Sequence, residues 1–503
     1  MKYAERVFTL AELMMVVALT ALLGLAQSVR ADDASQDANG PGYFGAVKAY
    51  ADAMLSKGRD TYGQEHSPLF AAALDRKTMA LGSAKSFGKI SGVRGGDRSI
   101  GGANPQEDKT LCLILYRLSE LTGEKQYAAE ADKALKYFWT HCQSPETGLM
   151  AWGEHLYWDF ESDKMAGRGD QPHEINGSWP LWDRSYALAP EACWRFAIGQ
   201  WDHQVADKST GDFSRHARWS RHGPNKGADF PRYAGQMITC WADAYSRREN
   251  ADRERRDEIV TAIRTLVGRM EANMKRSESG YLLAGRGGPY RIASWIPSNL
   301  ELARCLWVAA PSMDGELAER MRALALRQDT DFHRLPHLIT EGGGFVSTVD
   351  TRTGEPRRLR SSKPYTADWA SGYGHGVHAA MALRCVSRYH QLRETHGELA
   401  GKYRALIVAA ADRYLDTLPD VDKLVKPGAL AEVIDLLVAT HELTGDAKYL
   451  QRADRFGRLS LELFVDATSP LPKASNRHDH YEAITGGIEL MRSLLRLHEA
   501  LAG

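Results

Sequence analysis

One two-helix phrase recurs along this chain at intervals of about 50 to 70 residues, and such a repeat restricts the architecture more than any other feature. Apolar residues at helical spacing predict helices over 110–121 and 126–140, then 181–198, 233–247 and 252–274. The phrase continues at 297–309 with 316–327, 376–392 with 402–418, and 430–443 with 448–464, and ends with 481–501. The first member of each pair is the more apolar. Two turns echo one another, Leu121-Thr122-Gly123 and Leu443-Thr444-Gly445, each followed by a helix that opens Tyr-x-x-x-Ala-Asp. Apolar inner helices with amphipathic partners stack into a solenoid or close into a ring. Because the last helix is as apolar as the first, closure is expected: an all-α (α/α) toroid of six or seven helical hairpins.

In such a ring the long connections gather at one mouth, and function gathers with them. Two are conspicuous, 148–180 and 201–231, too long to be idle links. Residues 342–362 alternate like a small β-hairpin turning at Thr353-Gly354-Glu355-Pro356. Residues 58–105, Gly-rich after Thr78, read as an N-terminal lid within a single catalytic domain over 43–503. Ahead of it, Lys2 and Arg6 followed by the apolar run 13–25 and Val29-Arg30-Ala31 predict a signal peptide over 1–31, with a polar linker over 32–42. Export to the periplasm or the extracellular space follows, with no stable membrane insertion beyond the leader and a monomer expected.

Basic and acidic residues balance at 64 each, so no global field draws the chain to nucleic acid. Six cysteines without metal-like spacing read as buried thiols. No metal site and no cofactor are expected; help from Ca²⁺ stays open, since the sequence neither indicates nor excludes it. Esterase elbows, phosphate loops, dinucleotide fingerprints and zinc-protease motifs are absent.

Two constellations remain. Trp152, Trp158 and Trp179 lie in loops, and Trp182 at the start of the helix expected over 181–198, beside Glu154, His155, Asn176 and Arg184, where indole faces suit sugar C–H groups. Three basic stretches follow. The first holds Arg215-His216, Arg218, Arg221-His222 and Arg232-Tyr233; the second runs from Gly285-Arg286 to Tyr290-Arg291; the third holds Arg352, Arg357, Arg358 and Arg360. Together at one mouth they predict a funnel for an anionic polymer, since guanidinium grips carboxylate through paired hydrogen bonds. His375 and His378 flank the head of an inner helix, on a Gly-rich loop expected to approach substrate.

With Asp60-Thr61-Tyr62-Gly63, Ser67-Pro68-Leu69-Phe70 and a mouth crowded with His, Arg, Tyr and Asn, the sequence resembles the (α/α)-toroid polysaccharide lyases over roughly residues 43–503. Within them it looks most like polysaccharide lyase family 38, whose members cut alginate or glucuronan. The resemblance implies β-elimination on a 4-linked uronic-acid polymer, with Tyr290 as catalytic acid and Arg286 as its charged helper. It gives His222 the part of base or neutraliser, Asn176 or His155 the rest of the carboxylate grip, and makes Tyr233 the rival for the role of Tyr290. Trp152, Trp158, Trp179, Trp182, Arg184, Arg221, Arg232, Arg291 and His375 would bind substrate. The chemistry needs such groups in any case: neutralising the uronate carboxylate eases loss of the weakly acidic C5 proton. A phenol serves as base only if cations favour its anion. The rivals are a toroid glycoside hydrolase with paired acids among Glu154, Asp159, Asp183 and Asp229, and a non-catalytic sugar-binding protein.

Overall fold

A computed structural model describes residues 42–167, 178–223, 230–248, 253–285, 288–359, 363–369 and 378–503. The segment 1–31, expected as a signal peptide, and nearly all of 32–42, expected as a linker, lie outside them. The helices are α1 (Tyr43–Ser56), a single turn α2 (Ala84–Phe87), α3 (Pro105–Thr122), α4 (Lys125–His141), α5 (Trp182–Leu188), α6 (Pro190–His203), α7 (Pro231–Arg247) and α8 (Arg253–Lys275). They continue as α9 (Ile296–Ala309), α10 (Gly315–His333), α11 (His378–Leu392), α12 (Gly397–Asp416), α13 (Pro427–Thr444), α14 (Ala447–Phe464) and α15 (Gly487–Ala502).

Each inner helix packs on the next, α7 on α9, α9 on α11, α11 on α13, α13 on α15, and α15 on α3. Their partners α8, α10, α12, α14 and α4 run back outside them, and α1 covers α15 and α3, so the beginning and end of the described chain close one ring. The chain is an (α/α) toroid of six full hairpins. The sector between α3 and α7 holds a seventh, shortened one, α5 with α6. The helix expected over 181–198 is broken there at Ala189–Pro190, because Pro190 starts α6 and its missing N–H cannot continue α5.

Local chemistry sets the other ends. Proline stands in the first turn of α3, α7, α9 and α13, where its absent donor costs nothing. Gly123 and Gly445 close α3 and α13 in the left-handed conformation, at φ 76° and 72°. The echoed turns are structural twins: Thr122 and Thr444 bond back to Leu118 and Thr440, and Tyr127 and Tyr449 each donate to a carboxylate of a neighbouring outer helix, Asp52 and Asp412. The final helix begins later than its periodicity suggested. Tyr481–Glu482 is instead strand β9, paired with β1 (Ala73–Leu74), and left-handed Gly486 precedes α15.

Connections at the ends of the inner helices are short, while those at their beginnings are long. All six inner N-termini therefore open on one mouth, which the segment 58–104 and the later loops roof. Within the roof β2 (Gly102–Ala103), β3 (Leu156–Asp159) and β4 (Lys164–Gly167) form one sheet, and β5 (Val205–Asp207) pairs with β6 (Asp212–Phe213). Strand β7 (Ala293–Trp295) pairs with β8 (Thr348–Asp350). The expected turn at 353–356 is present, with the Gly354 N–H donating to the Asp350 carbonyl at 2.7 Å and the chain returning beside β8. The supposed lid is a tied strap: buried Arg76 pairs with Asp466 and Asp479, and Arg98 with Glu482. All six cysteines are buried and free. Among the described residues no helix is long and apolar enough to cross a membrane.

Candidate active site

Where the strap meets the loops before α7, polar side chains from four segments converge. Asn104, fully buried at the head of α3, donates to the Gly153 carbonyl at 2.8 Å and accepts from its N–H at 3.2 Å. That clamp sets Glu154 and His155. From the strap, the 3-10 turn Gly95–Asp97 presents Asp97, which lies 2.8 Å from Nδ1 of His155 and accepts from Arg94 Nε at 2.7 Å. Arg94 also pairs with Glu154. From the loop before α7, Arg215 Nη1 reaches the other Glu154 oxygen at 3.1 Å, and the His216 ring lies nearly parallel to His155, centroids 5.6 Å apart.

Helix α7 completes the cluster. Its second residue, Arg232, donates through Nη2 to the Tyr233 hydroxyl at 2.7 Å, and Arg215 Nη1 approaches the same oxygen at 3.4 Å. Both guanidiniums lie over aromatic rings, Arg232 on Tyr233 and Trp295, Arg215 on Phe230. Tyr290, half-buried, packs edge-on against Phe230 with centroids 5.0 Å apart. Three arginines thus face two carboxylates and a phenol at the positive ends of helices, an arrangement suited to a further negative charge.

One group here offers metal ligands: Asp97, Glu154 and His155 bring one ligand atom each within 4.8 Å of one another. The donor set, two carboxylates and an imidazole, suits a divalent cation. Arg94 and Arg215 hold the carboxylates in this structure, so an ion would compete with them.

The structure gathers His155, Arg232 and Tyr233 from the expected residues and brings Tyr290 to the edge of the cluster. It moves others away. His222 is exposed and sits beside His203, Nδ1 to Nδ1 3.2 Å, because the loop carries it towards the end of α6. Arg184 lies on the outer wall, its Nε 2.6 Å from Asp132 on α4. Arg221 and Arg291 are exposed and show no partner among the described residues. Trp152, Trp158, Trp179 and Trp182 are buried and do not form an open platform; Trp152, Trp179 and Trp182 pack with Trp139 and Phe196, because these five loop and helix aromatics fill the shortened sector. The third basic stretch is internally compensated: Arg352 and Arg357 both pair with Asp350, whose carboxyl they hold well below its usual range. His378 is buried at the head of α11, and burial pushes its imidazole down to about 4. Asn176, Arg286 and His375 lie outside the described residues.

Arg94 and Asp97 were not legible as site residues. They stand in Arg94-Gly95-Gly96-Asp97-Arg98, and only the charges held between the glycines of the strap signal them.

Residues 93–237 match the model of a family described as periplasmic pectate lyase. The pectate disaccharide-lyase of Dickeya dadantii (strain 3937) is 27% identical over 112 residues, 22% of this chain and 20% of that enzyme. The chain thus spans about a fifth of the length of the curated relative it matches. Both matches point to lyases of uronate polymers, the broader class expected, and neither names family 38. Among solved structures, a sugar epimerase from a ruminal bacterium aligns with a TM-score of 0.47 at 12% identity, covering 90% of this chain and 98% of its own. A D-mannose isomerase aligns at 0.45 and 10%, covering 91% and 97%. The unsaturated glucuronyl hydrolase of Bacillus sp. GL1 aligns at 0.41 and 12%, covering 91% and 96%.

Proposed function

We propose that this chain is a polysaccharide lyase that cleaves a 4-linked polyuronate of the pectate type by β-elimination, at the cluster beneath the strap. One observation carries the reading. The stretch 93–237 that matches the pectate lyase family contains Arg94, Asp97, Glu154, His155, Arg215, His216, Arg232 and Tyr233, and the fold brings these dispersed residues into one site.

The arginines receive the uronate carboxylate. Neutralising it lowers the cost of the enolate-like state formed as the C5–H bond breaks, by about 3 kcal/mol for each well-placed donor. Arg215 and Tyr233 are the reacting pair. Two guanidiniums directed at one phenol oxygen favour its anion, which accepts the C5 proton. The C4–O4 bond then breaks, a C4=C5 double bond forms, and the proton passes to the departing O4. Arg215 links this phenol to Glu154, so the acidic pair orients the base.

A second reading of how the carboxylate is held rests on the metal-competent group. A divalent cation on Asp97, Glu154 and His155 would supply positive charge at the same place. The hydrolase alternative is disfavoured by the same geometry. A hydrolase needs one carboxyl kept protonated opposite another, whereas Asp97 and Glu154 stand together and face Arg94 and Arg215, which favour the ionised form. Export, expected from the leader, accords with the periplasmic description of the matched family.

The test is to mix the protein with polygalacturonate, alginate and glucuronan and follow the ultraviolet band of an unsaturated uronate. Growth of the band on polygalacturonate is expected. New reducing ends without the band would transfer the reading to a hydrolase; neither signal would leave a binding protein.

A further inference from the structure

A cavity of about 280 Å³ lies inside the ring between α3, α6, α7 and α9, in the sector where the seventh hairpin is shortened. It begins at Gln236, one turn below Tyr233, and runs to Arg247 and Val308 at the other end of the same helices, about 17 Å along α7 at 1.5 Å per residue. Its far opening is thus on the side of the short turns.

Three glutamines line it, each more than nine-tenths buried: Gln106, Gln200 and Gln236. Both side-chain polar atoms of Gln200, Nε2 of Gln106 and Oε1 of Gln236 have no partner among the described residues. Trp152, Trp179 and Trp182 line it beside them, and the Trp152 indole N–H is likewise without a partner among the described residues. Buried polar atoms left unsatisfied cost stability, so a ligand that meets them is the natural counterpart. The cations on the wall are already neutralised: Arg304 by Glu301 at 2.7 Å, Arg247 by Asp183 and Asp243.

We propose that this cavity is a binding site for one neutral pyranose, separate from the polyuronate cluster. Amides present donors and acceptors together, as sugar hydroxyls require, and indole rings cover the C–H faces. Paired cations leave no open charge for a carboxylate. The volume is close to the lower limit of small-ligand pockets, about 300 Å³, which admits a monosaccharide and excludes a polymer.

The test uses the full chain. D-galactose and D-glucose are titrated with tryptophan fluorescence and calorimetry as readouts, and D-galacturonate is the charged comparison. Saturable binding of a neutral sugar is expected, with galacturonate at least tenfold weaker. Val308 is about half exposed at the far rim, so Val308→Trp plugs the opening without disturbing the core. Binding is expected to fall at least about tenfold in Val308→Trp and in Gln200→Leu, the loss of roughly one good hydrogen bond or more. Turnover of polyuronate in Val308→Trp should stay unchanged. No heat and no fluorescence change with either neutral sugar, undiminished binding in Val308→Trp, or tighter binding of galacturonate would each overturn the proposal. Gln200→Leu is read only if it folds, and Val308→Trp decides the matter alone.

Discussion

Arg215 stands between Glu154 and Tyr233, its Nη1 3.1 Å from the carboxylate and 3.4 Å from the phenol oxygen, so that one guanidinium joins the acidic loop before β3 to the aromatic head of α7. Tyr233 is buried, and Arg232 donates to it from the adjacent position. On the proposed reading the reacting phenol is that of Tyr233 rather than that of Tyr290, which packs edge-on against the Phe230 ring.

Removing the Tyr233 hydroxyl should therefore remove proton transfer while leaving the arginines. Tyr233→Phe is expected to lower kcat on polygalacturonate by about 10²- to 10⁴-fold, with KM changed little. Tyr290→Phe should stay within a few-fold of the parent. Steady-state kinetics of both variants decide between them, and an active Tyr233→Phe beside a dead Tyr290→Phe would reverse the roles.

The ligand set Asp97, Glu154 and His155 makes a separate prediction. After chelation, titrating Mn²⁺ or Ca²⁺ into the protein should raise Tm, because an ion bound only by the folded state stabilises it by mass action. Asp97→Asn should abolish the rise. A Tm indifferent to every divalent ion would leave the carboxylate to the arginines alone.

Glu432 on α13 faces the ring interior. Burial pushes its carboxyl up to about 8 from an ordinary 4.5, with Asp435 and Glu489 adding to the shift and Arg384 opposing it. Below pH 4.5 both folded and unfolded states hold the proton, and the associated stability is fully present. As pH rises towards 8 only the folded state retains it, so stability falls across that window and levels off above. Thermal melts should show Tm declining from pH 5 to 8, with a shallower decline in Glu432→Gln. Above pH 8 the variant should melt a few degrees higher than the parent.

Gly123 and Gly445 test the turn repeat. A Cβ at either would meet nothing within 4 Å, so the cost of alanine is the left-handed backbone alone. Gly123→Ala and Gly445→Ala should each lose about 1 kcal/mol in denaturant unfolding. Activity should not change, since both turns lie at the end of the ring away from the strap.

Helix positions, the inner and outer faces and the two echoed turns were legible in the chain because they are local. Periodicity, a proline in a first turn and a glycine at a helix end act within a few residues, and the expected helices agree with α3, α4 and α7 to α14 to within a few residues at most of their ends. The breaks at Pro190 and Gly486 were visible as residue types but were overridden by apolar spacing. Tertiary structure decided the site. Arg94 and Asp97 meet Glu154 and His155 across some 58 residues, and Arg215 meets Glu154 across 61, because Asn104 clamps Gly153 and the strap is tied to β9. Burial likewise reassigned the tryptophans, since loop composition marks aromatic content but not which side of a wall it faces. Short-range conformational preference is written in neighbouring residues; charge convergence depends on ring closure, which no single segment encodes.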